Sequence, residues 1–121
     1  MRELPALFPD SEIILLDNLT TQRYPSLFDL SGQAHYRFYE VDVLQDDLTP
    51  YVAGADVVLH LAAITNAAAS FSNADIVEHN NFNATMKIAE FCSQLSVPLI
   101  HLSSTSVYGT QNETVDEDCS D

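Results

Sequence analysis

The chain has 121 residues, 46% of them hydrophobic and 18% charged, which is the composition of a globular protein with at most one domain. Four basic and 18 acidic residues give a formal net charge of −14, which argues against a nucleic acid or a membrane as the partner. The two cysteines, Cys92 and Cys119, make no disulfide framework. No signal-peptide core and no apolar run of transmembrane length is present, so we expect a cytoplasmic protein.

Strands alternate with helices along the sequence. Apolar or aromatic runs predict strands over 12–17, 36–42, 56–63 and 98–103. Between them we expect a loop with one helical turn over 24–32, a short helix over 46–52 that Gly54 stops, and a long helix from Asn80 or Asn81 to Leu95. The first strand reads as buried on both faces, and the acidic tail 113–121 as a solvated loop. This order predicts a parallel sheet with right-handed crossovers.

Carboxylates end the first two predicted strands. Asp17 could accept both ribose hydroxyls of an adenosine, which would favour NAD over a 2′-phosphorylated cofactor, or it could simply form a turn. Asp42 could line an adenine pocket, and a turn residue is again the alternative.

One histidine, His60, and the small residues Ala62 and Ala63 lie at the end of the third predicted strand, in the segment 60–63. Small side chains allow close approach to a phosphate or ribose, or tight packing of helix on strand. Asn81, with Thr85, could tie neighbouring loops together or cap the long helix. His60 and His101 could face each other on successive strands, but without a third ligand nearby we predict no metal site.

The fourth predicted strand runs into a hydroxyl-rich segment, 103–109. Hydroxyl groups at the carboxyl end of a buried strand lie where open α/β sheets bind ligands. No Tyr-x-x-x-Lys begins at Tyr108, because position 112 is Asn112. The three glycines, Gly32, Gly54 and Gly109, cannot form a glycine-rich phosphate turn.

Taken in this order, five segments resemble the NAD-dependent sugar-nucleotide epimerase/dehydratase family, the extended short-chain dehydrogenases/reductases. They are Leu16-Asp17-Asn18-Leu19, Val41-Asp42-Val43, His60-Leu61-Ala62-Ala63, Asn81-Phe82-Asn83-Ala84-Thr85 and Ser103-Ser104-Thr105-Ser106-Val107-Tyr108-Gly109. The resemblance implies an α/β fold, a partial Rossmann-like doubly wound parallel sheet without its first, central strand. Residues 1–121 would then be a partial NAD-binding domain, an internal fragment without the glycine-rich first strand, the Tyr-x-x-x-Lys or a substrate domain.

The resemblance also implies roles for individual residues. The implied cofactor-binding residues are Asp17, Asn18, Asp42, Val43, Leu61, Ala62, Ala63 and Ser103. Ser104 would be the catalytic hydroxyl, Thr105 would contact the sugar, and Asn81 would be structural.

The implied function is that of a fragment of an NAD-dependent sugar-nucleotide epimerase, whose complete form binds a nucleotide-sugar and could be a homodimer. Ser104-Thr105-Ser106 stands where the dehydratases of the family carry Thr-Asp-Glu, which favours an epimerase. Two alternatives stay open. One is a non-catalytic Rossmann-like module that binds a nucleotide or a protein, and the other is an atypical NAD(P)-dependent reductase of the same superfamily.

Overall fold

The computed structural model describes residues 3–22, 24–65 and 74–103. Within them lie the helices α1 (Leu4–Leu7), α2 (Thr49–Val52) and α3 (Ala74–Leu95), a 3-10 turn at Tyr24–Leu27, and the strands β1 (Glu12–Asp17), β2 (His35–Glu40), β3 (Val58–His60) and β4 (Leu99–His101). The four predicted strands and the single helical turn are confirmed. The described helices include none long and apolar enough to cross a membrane.

The strands form two parallel pairs. β1 pairs with β2 from Glu12 beside His35 to Asp17 beside Glu40. β3 pairs with β4 from Val58 beside Leu99 to His60 beside His101. No ladder joins the two pairs within the described residues. The predicted α/β fold with a partial doubly wound parallel sheet is therefore confirmed, and it consists of two half-sheets.

One apolar core holds both half-sheets. Its buried members are Val41, Leu48, Val52, Ile88, Cys92 and Val97. Leu16 and Tyr39 pack on this core from the first half-sheet, and Val58 and Leu99 pack on it from the second. The predicted buried position of Cys92 is confirmed, and burial raises the pKa of its thiol.

Three local expectations differ from the structure. The long helix begins at Ala74 rather than at Asn80 or Asn81, so Asn80 lies inside the helix and is not its N-cap. The residues of the helix before Asn80 include the good helix formers Ala74 and Glu78, and Asp75 places an acid in the first turn, which suits a helix start. The short helix α1, which has Pro5 in its first turn, was not predicted, and four residues carry too little periodicity to reveal it.

The prediction that β1 is buried on both faces is wrong. Leu15 is buried, but Ile14 on the other face is 39% exposed. A strand is buried on both faces when it lies in the middle of a covered parallel sheet. β1 has a strand neighbour on one side only among the described residues, which explains its partial exposure.

Candidate functional site

Three polar residues lie where β1 and β2 end. Asp17 is the last residue of β1, and its Oδ1 accepts a hydrogen bond of 2.6 Å from the backbone N–H of Leu19. The Nδ2 of Asn18 donates to Oδ2 of Asp42 over 3.3 Å, 24 positions along the chain. These hydrogen bonds orient two carboxylates at neighbouring strand ends, that of the exposed Asp17 and that of the half-buried Asp42.

Asp42 also organises the loop that follows β2. Its Oδ1 accepts from the backbone N–H of Leu44 at 2.8 Å, and its own N–H donates to Oδ2 of Asp46 at 2.8 Å. Lys87 of α3 reaches the same loop and donates from Nζ to the carbonyl oxygen of Asp46 at 2.7 Å. The turn expected at Asp42 is therefore present.

Val43 differs from its neighbours in this loop because its side chain packs on the core cluster. Part of this side chain remains accessible, because Val43 is half-buried. The sequence marked Asp42 and Val43, but it did not indicate Asp46 or Lys87. Asp46 lies four positions after Asp42, a spacing that sequence reading could have weighed, whereas no local signal links Lys87 to a loop 41 positions away.

The loop after β3 is tied to α3 by a pair of hydrogen bonds. The Oδ1 of Asn81 accepts from the backbone N–H of Ile64 at 2.8 Å, and its Nδ2 donates to the carbonyl oxygen of Ile64 at 3.1 Å. Thr85 donates from Oγ1 to the backbone carbonyl of Asn81 at 2.9 Å. The side chain of Asn81 thus bonds to both the backbone N–H and the backbone carbonyl of Ile64. These bonds orient the exposed segment 61–63, which directly precedes Ile64.

His60 and His101 stack on one another at the ends of β3 and β4. Their ring centroids lie 5.5 Å apart at an interplanar angle of 23°. His60 is 5% exposed and its Nε2 has no hydrogen-bond partner. Residues 3–22, 24–65 and 74–103 contain no group of three or more potential metal ligands. Burial, and to a lesser extent the charge that His101 can carry, lowers the pKa of His60 below its ordinary value of 6.5.

We expect His60 to titrate below pH 6.5 in the folded chain. The unfolded state then binds more protons than the folded state between the lowered pKa and 6.5. The stability that neutral His60 contributes is therefore complete above pH 6.5 and is lost as the pH falls toward the lowered value. The measurement is an NMR titration of the ring protons with and without urea, assigned with His60→Leu. A native midpoint at or above the urea midpoint would contradict the assignment.

The sequence-predicted residues thus fall into three groups. Asp17, Asn18 and Asp42 lie at the end of the first half-sheet, where Asn18 donates to Asp42 and Asp17 accepts from the backbone of Leu19. Leu61, Ala62, Ala63 and Ser103 follow the strands of the second half-sheet and are exposed. Ser104 and Thr105 lie outside the described residues. Their predicted roles in catalysis and sugar binding stay predictions.

The chain is similar in sequence to enzymes that act on nucleotide-sugars. It is 30% identical over 112 residues to a trifunctional UDP-glucose 4,6-dehydratase/UDP-4-keto-6-deoxy-D-glucose 3,5-epimerase/UDP-4-keto-L-rhamnose-reductase of Arabidopsis thaliana, covering 88% of this chain and 17% of the relative. It is 29% identical over 108 residues to a dTDP-D-glucose 4,6-dehydratase of Dictyostelium discoideum, covering 85% of this chain and 25% of the relative. The chain therefore spans a quarter or less of the length of these relatives.

Solved structures of epimerases share the fold. The UDP-glucuronic acid 4-epimerase of Bacillus cereus, in complex with UDP-glucuronic acid and NAD, matches with a TM-score of 0.72 and 30% identity over 88% of this chain and 36% of that protein. The UDP-N-acetylglucosamine 4-epimerase of Methanobrevibacter ruminantium matches with a TM-score of 0.81 and 24% identity over 97% of this chain and 38% of that protein. The model of the NAD-dependent epimerase/dehydratase family matches residues 6–121. Because this match spans nearly all of the sequence, the chain belongs to the NAD-dependent epimerase/dehydratase family.

Proposed function

We propose that these residues form the adenosine-binding part of an NAD-dependent sugar-nucleotide epimerase. The observation that carries the proposal is the position of Asp17, Asn18 and Asp42 at two neighbouring strand ends, where Asn18 donates to Asp42 and the backbone of Leu19 donates to Asp17. Ligands of open α/β sheets bind outside the carboxyl ends of the strands, and an acid at this position accepts hydrogen bonds from a ribose diol.

The donor and acceptor chemistry fits NAD better than a 2′-phosphorylated cofactor. Ionised carboxylates accept hydrogen bonds and donate none, so Asp17 suits the two ribose hydroxyls. The same negative charge would repel a 2′-phosphate, and the net charge of −14 adds to that repulsion. The turn at Asp42 and Val43 presents backbone that could contact the adenine. When bound, NAD supplies a hydride acceptor.

The other half-sheet would serve the remainder of the reaction. Leu61, Ala62 and Ala63 form an exposed loop of mostly small side chains, which Asn81 orients beside the proposed cofactor path. Ser103 would lie beside the nicotinamide and Thr105 beside the sugar. Ser104 would donate or accept a hydrogen bond at the sugar oxygen whose proton leaves, which orients that oxygen as its charge develops.

A hybrid enzyme tests this proposal. In it, residues 12–109 replace the matching segment of the Bacillus cereus UDP-glucuronic acid 4-epimerase, so that the remaining segments come from a protein of known activity. Turnover of a UDP-sugar with inversion at one carbon would support the epimerase. Cofactor binding without turnover would favour the non-catalytic module, and net reduction of a carbonyl substrate would favour the reductase.

Asp17→Ala in the hybrid enzyme should weaken NAD binding by about 1–3 kcal/mol, the cost of losing a charged hydrogen-bond acceptor. Titration calorimetry gives the affinity directly. The NAD affinity of Asp17→Asn should lie between those of the unsubstituted hybrid and of Asp17→Ala, because the amide keeps one acceptor oxygen and loses the charge. Asp75→Ala removes another exposed acid, at the start of α3, and should leave the affinity unchanged. Equal NAD affinity in Asp17→Ala and Asp75→Ala would remove Asp17 from the cofactor site.

A further inference from the structure

The loop that follows β2 is held in shape by its own hydrogen bonds. We call residues 42–46 the β2 loop. The N–H groups of Gln45 and Asp46 both donate to the carbonyl oxygen of Asp42, at 3.1 and 2.9 Å. The N–H of Leu44 donates to the carboxylate of Asp42, and the N–H of Asp42 donates to the carboxylate of Asp46. Four of the five N–H groups of the β2 loop are therefore bonded inside it.

The remaining N–H group of the β2 loop belongs to Val43, and it has no acceptor among the described residues. It is a donor that follows directly in sequence on the carboxylate of Asp42, which is an acceptor. An adenine ring carries the opposite pair on one edge, an acceptor at N1 and a donor amine on the neighbouring carbon. The β2 loop therefore carries groups complementary to adenine, and their use depends on how firmly the loop is held.

Two side-chain hydrogen bonds from outside hold the β2 loop on the described structure. The Nδ2 of Asn18 donates to Oδ2 of Asp42 at 3.3 Å, at the beginning of the loop. The Nζ of Lys87 donates to the carbonyl oxygen of Asp46 at 2.7 Å, at its end. The bond from Lys87 is the shorter of the two, and its donor is charged, which strengthens a hydrogen bond. Lys87 thus joins the end of the β2 loop to α3.

The ammonium group of Lys87 is itself held in place. α3 is anchored in the apolar core by Ile88 and Cys92. Lys87 is half-buried, and its Nζ lies 6.0 Å from the centroid of the Phe91 ring, one helical turn further along α3. At this distance the face of an aromatic ring attracts a cation, and Phe91 is itself packed on the core. A helix anchored in the core therefore positions a loop at the surface.

Lys87 also supplies positive charge where the strand ends are acidic. The acids at and after the ends of β1 and β2 are Asp17, Asp42, Asp46 and Asp47. Of the two described basic residues, Arg37 pairs with Glu12 at the start of β1, which leaves Lys87. Hydrogen bonds from Thr49 hold the pKa of Asp47 below its ordinary value, and the charge of Lys87 lowers it further. A neutral residue at position 87 would leave these acids without a described counter-charge and would also remove the bond to the loop.

We propose that Lys87 is a positioning residue for the adenine end of NAD, because its bond to the carbonyl oxygen of Asp46 holds the β2 loop where Asp42 and Val43 recognise the ring. This role rests on the proposed adenosine site, and it adds to that site a residue of α3, a helix without predicted cofactor contacts. Lys87 acts through the loop and does not touch the cofactor. Without its bond the loop is in the matching arrangement for a smaller fraction of the time, and the affinity falls by that fraction.

The test measures how strongly the hybrid enzyme distinguishes adenine from hypoxanthine. Nicotinamide hypoxanthine dinucleotide differs from NAD in its base, which has an oxygen in place of the amine and a proton on N1. These changes place a donor against the N–H of Val43 and an acceptor against the carboxylate of Asp42. In titration calorimetry the unsubstituted hybrid should bind NAD about tenfold or more tightly than the analogue, because unpaired polar groups in a site are costly.

Lys87→Met keeps most of the length of the side chain and removes its charge and its donors. This variant should bind NAD about fivefold more weakly, the lower end of typical coupling between two positions. Its preference for NAD over the analogue should fall to about threefold or less, because a displaced loop loses contacts that the analogue never makes. Lys87→Arg keeps charge and donors and should restore most of the preference. Gln94→Met introduces the same side chain at an exposed position of α3 and should change neither quantity.

Each contrary result identifies what is wrong. Equal affinity for NAD and the analogue in the unsubstituted hybrid, or no NAD binding at all, would reject the adenosine site and the role of Lys87 with it. A preference that persists unchanged in Lys87→Met would overturn the role of Lys87 and leave the adenosine site standing. Equal weakening of NAD and the analogue would show that Lys87 only stabilises the fold, which also overturns the proposal. If Lys87→Met loses its circular dichroism spectrum, Lys87→Gln replaces it under the same criteria, since the amide keeps donors without the charge.

Discussion

Ser104→Ala should lower the kcat of the hybrid enzyme about 100-fold, the usual cost of removing one hydrogen-bond donor at a developing oxygen charge. The change in KM should be small, because the interaction is strongest in the transition state and contributes little to ground-state binding. Steady-state kinetics with a UDP-sugar measures both constants. This is the largest effect that we expect from a single substitution.

Two further substitutions, one at Ser106 and one at Ser104 itself, serve as controls for Ser104→Ala. Ser106→Ala removes a hydroxyl from the same segment, at a position to which we assign no role, and should leave kcat within about twofold. Ser104→Thr keeps the hydroxyl and should restore part of kcat. If Ser104→Ala turns over as fast as Ser106→Ala, the hydroxyl of Ser104 is structural.

The sequence predicted β1 to the residue and found all four strands. These strands are short apolar runs closed by polar turns, and that pattern depends on neighbours in sequence. The ends were less accurate: β3 was expected over eight residues and has three. Parallel pairing at its ends depends on a partner strand 40 positions away, which local pattern does not encode.

The candidate site shows the same division. Asp17, Asn18 and Asp42 could be marked in advance because each lies at or directly after the end of a predicted strand. The bond from Lys87 to the loop at Asp46 could not, because it depends on how α3 crosses the half-sheets. The helix start at Ala74 was also missed, since Asn80 looked like a cap while its neighbour Asn81 bonds the loop at Ile64 instead.

The exposure of Ile14 gives a third example. Four consecutive apolar residues in β1 predict burial on both faces, and this inference would hold for a strand with neighbours on both sides. The described residues supply a neighbour on one side only. The disagreement therefore carries information, because a sequence suited to a central strand here lies at an edge.

The last prediction concerns the 121-residue chain by itself, which should unfold at low denaturant in a broad transition that NAD does not shift. Its described core has few fully buried apolar side chains, and the half-sheets connect through that core rather than through a ladder. Weak cooperativity follows, since each half-sheet can open separately.

A ligand at 100 times its Kd would stabilise the folded state by about 2.7 kcal/mol. We expect no such shift, because the proposed site contains no glycine-rich turn to hold the pyrophosphate. Urea unfolding followed by circular dichroism, with and without NAD, provides the measurement. A single steep transition that moves to higher urea with NAD would show that a working cofactor site exists in these residues and that the prediction is wrong.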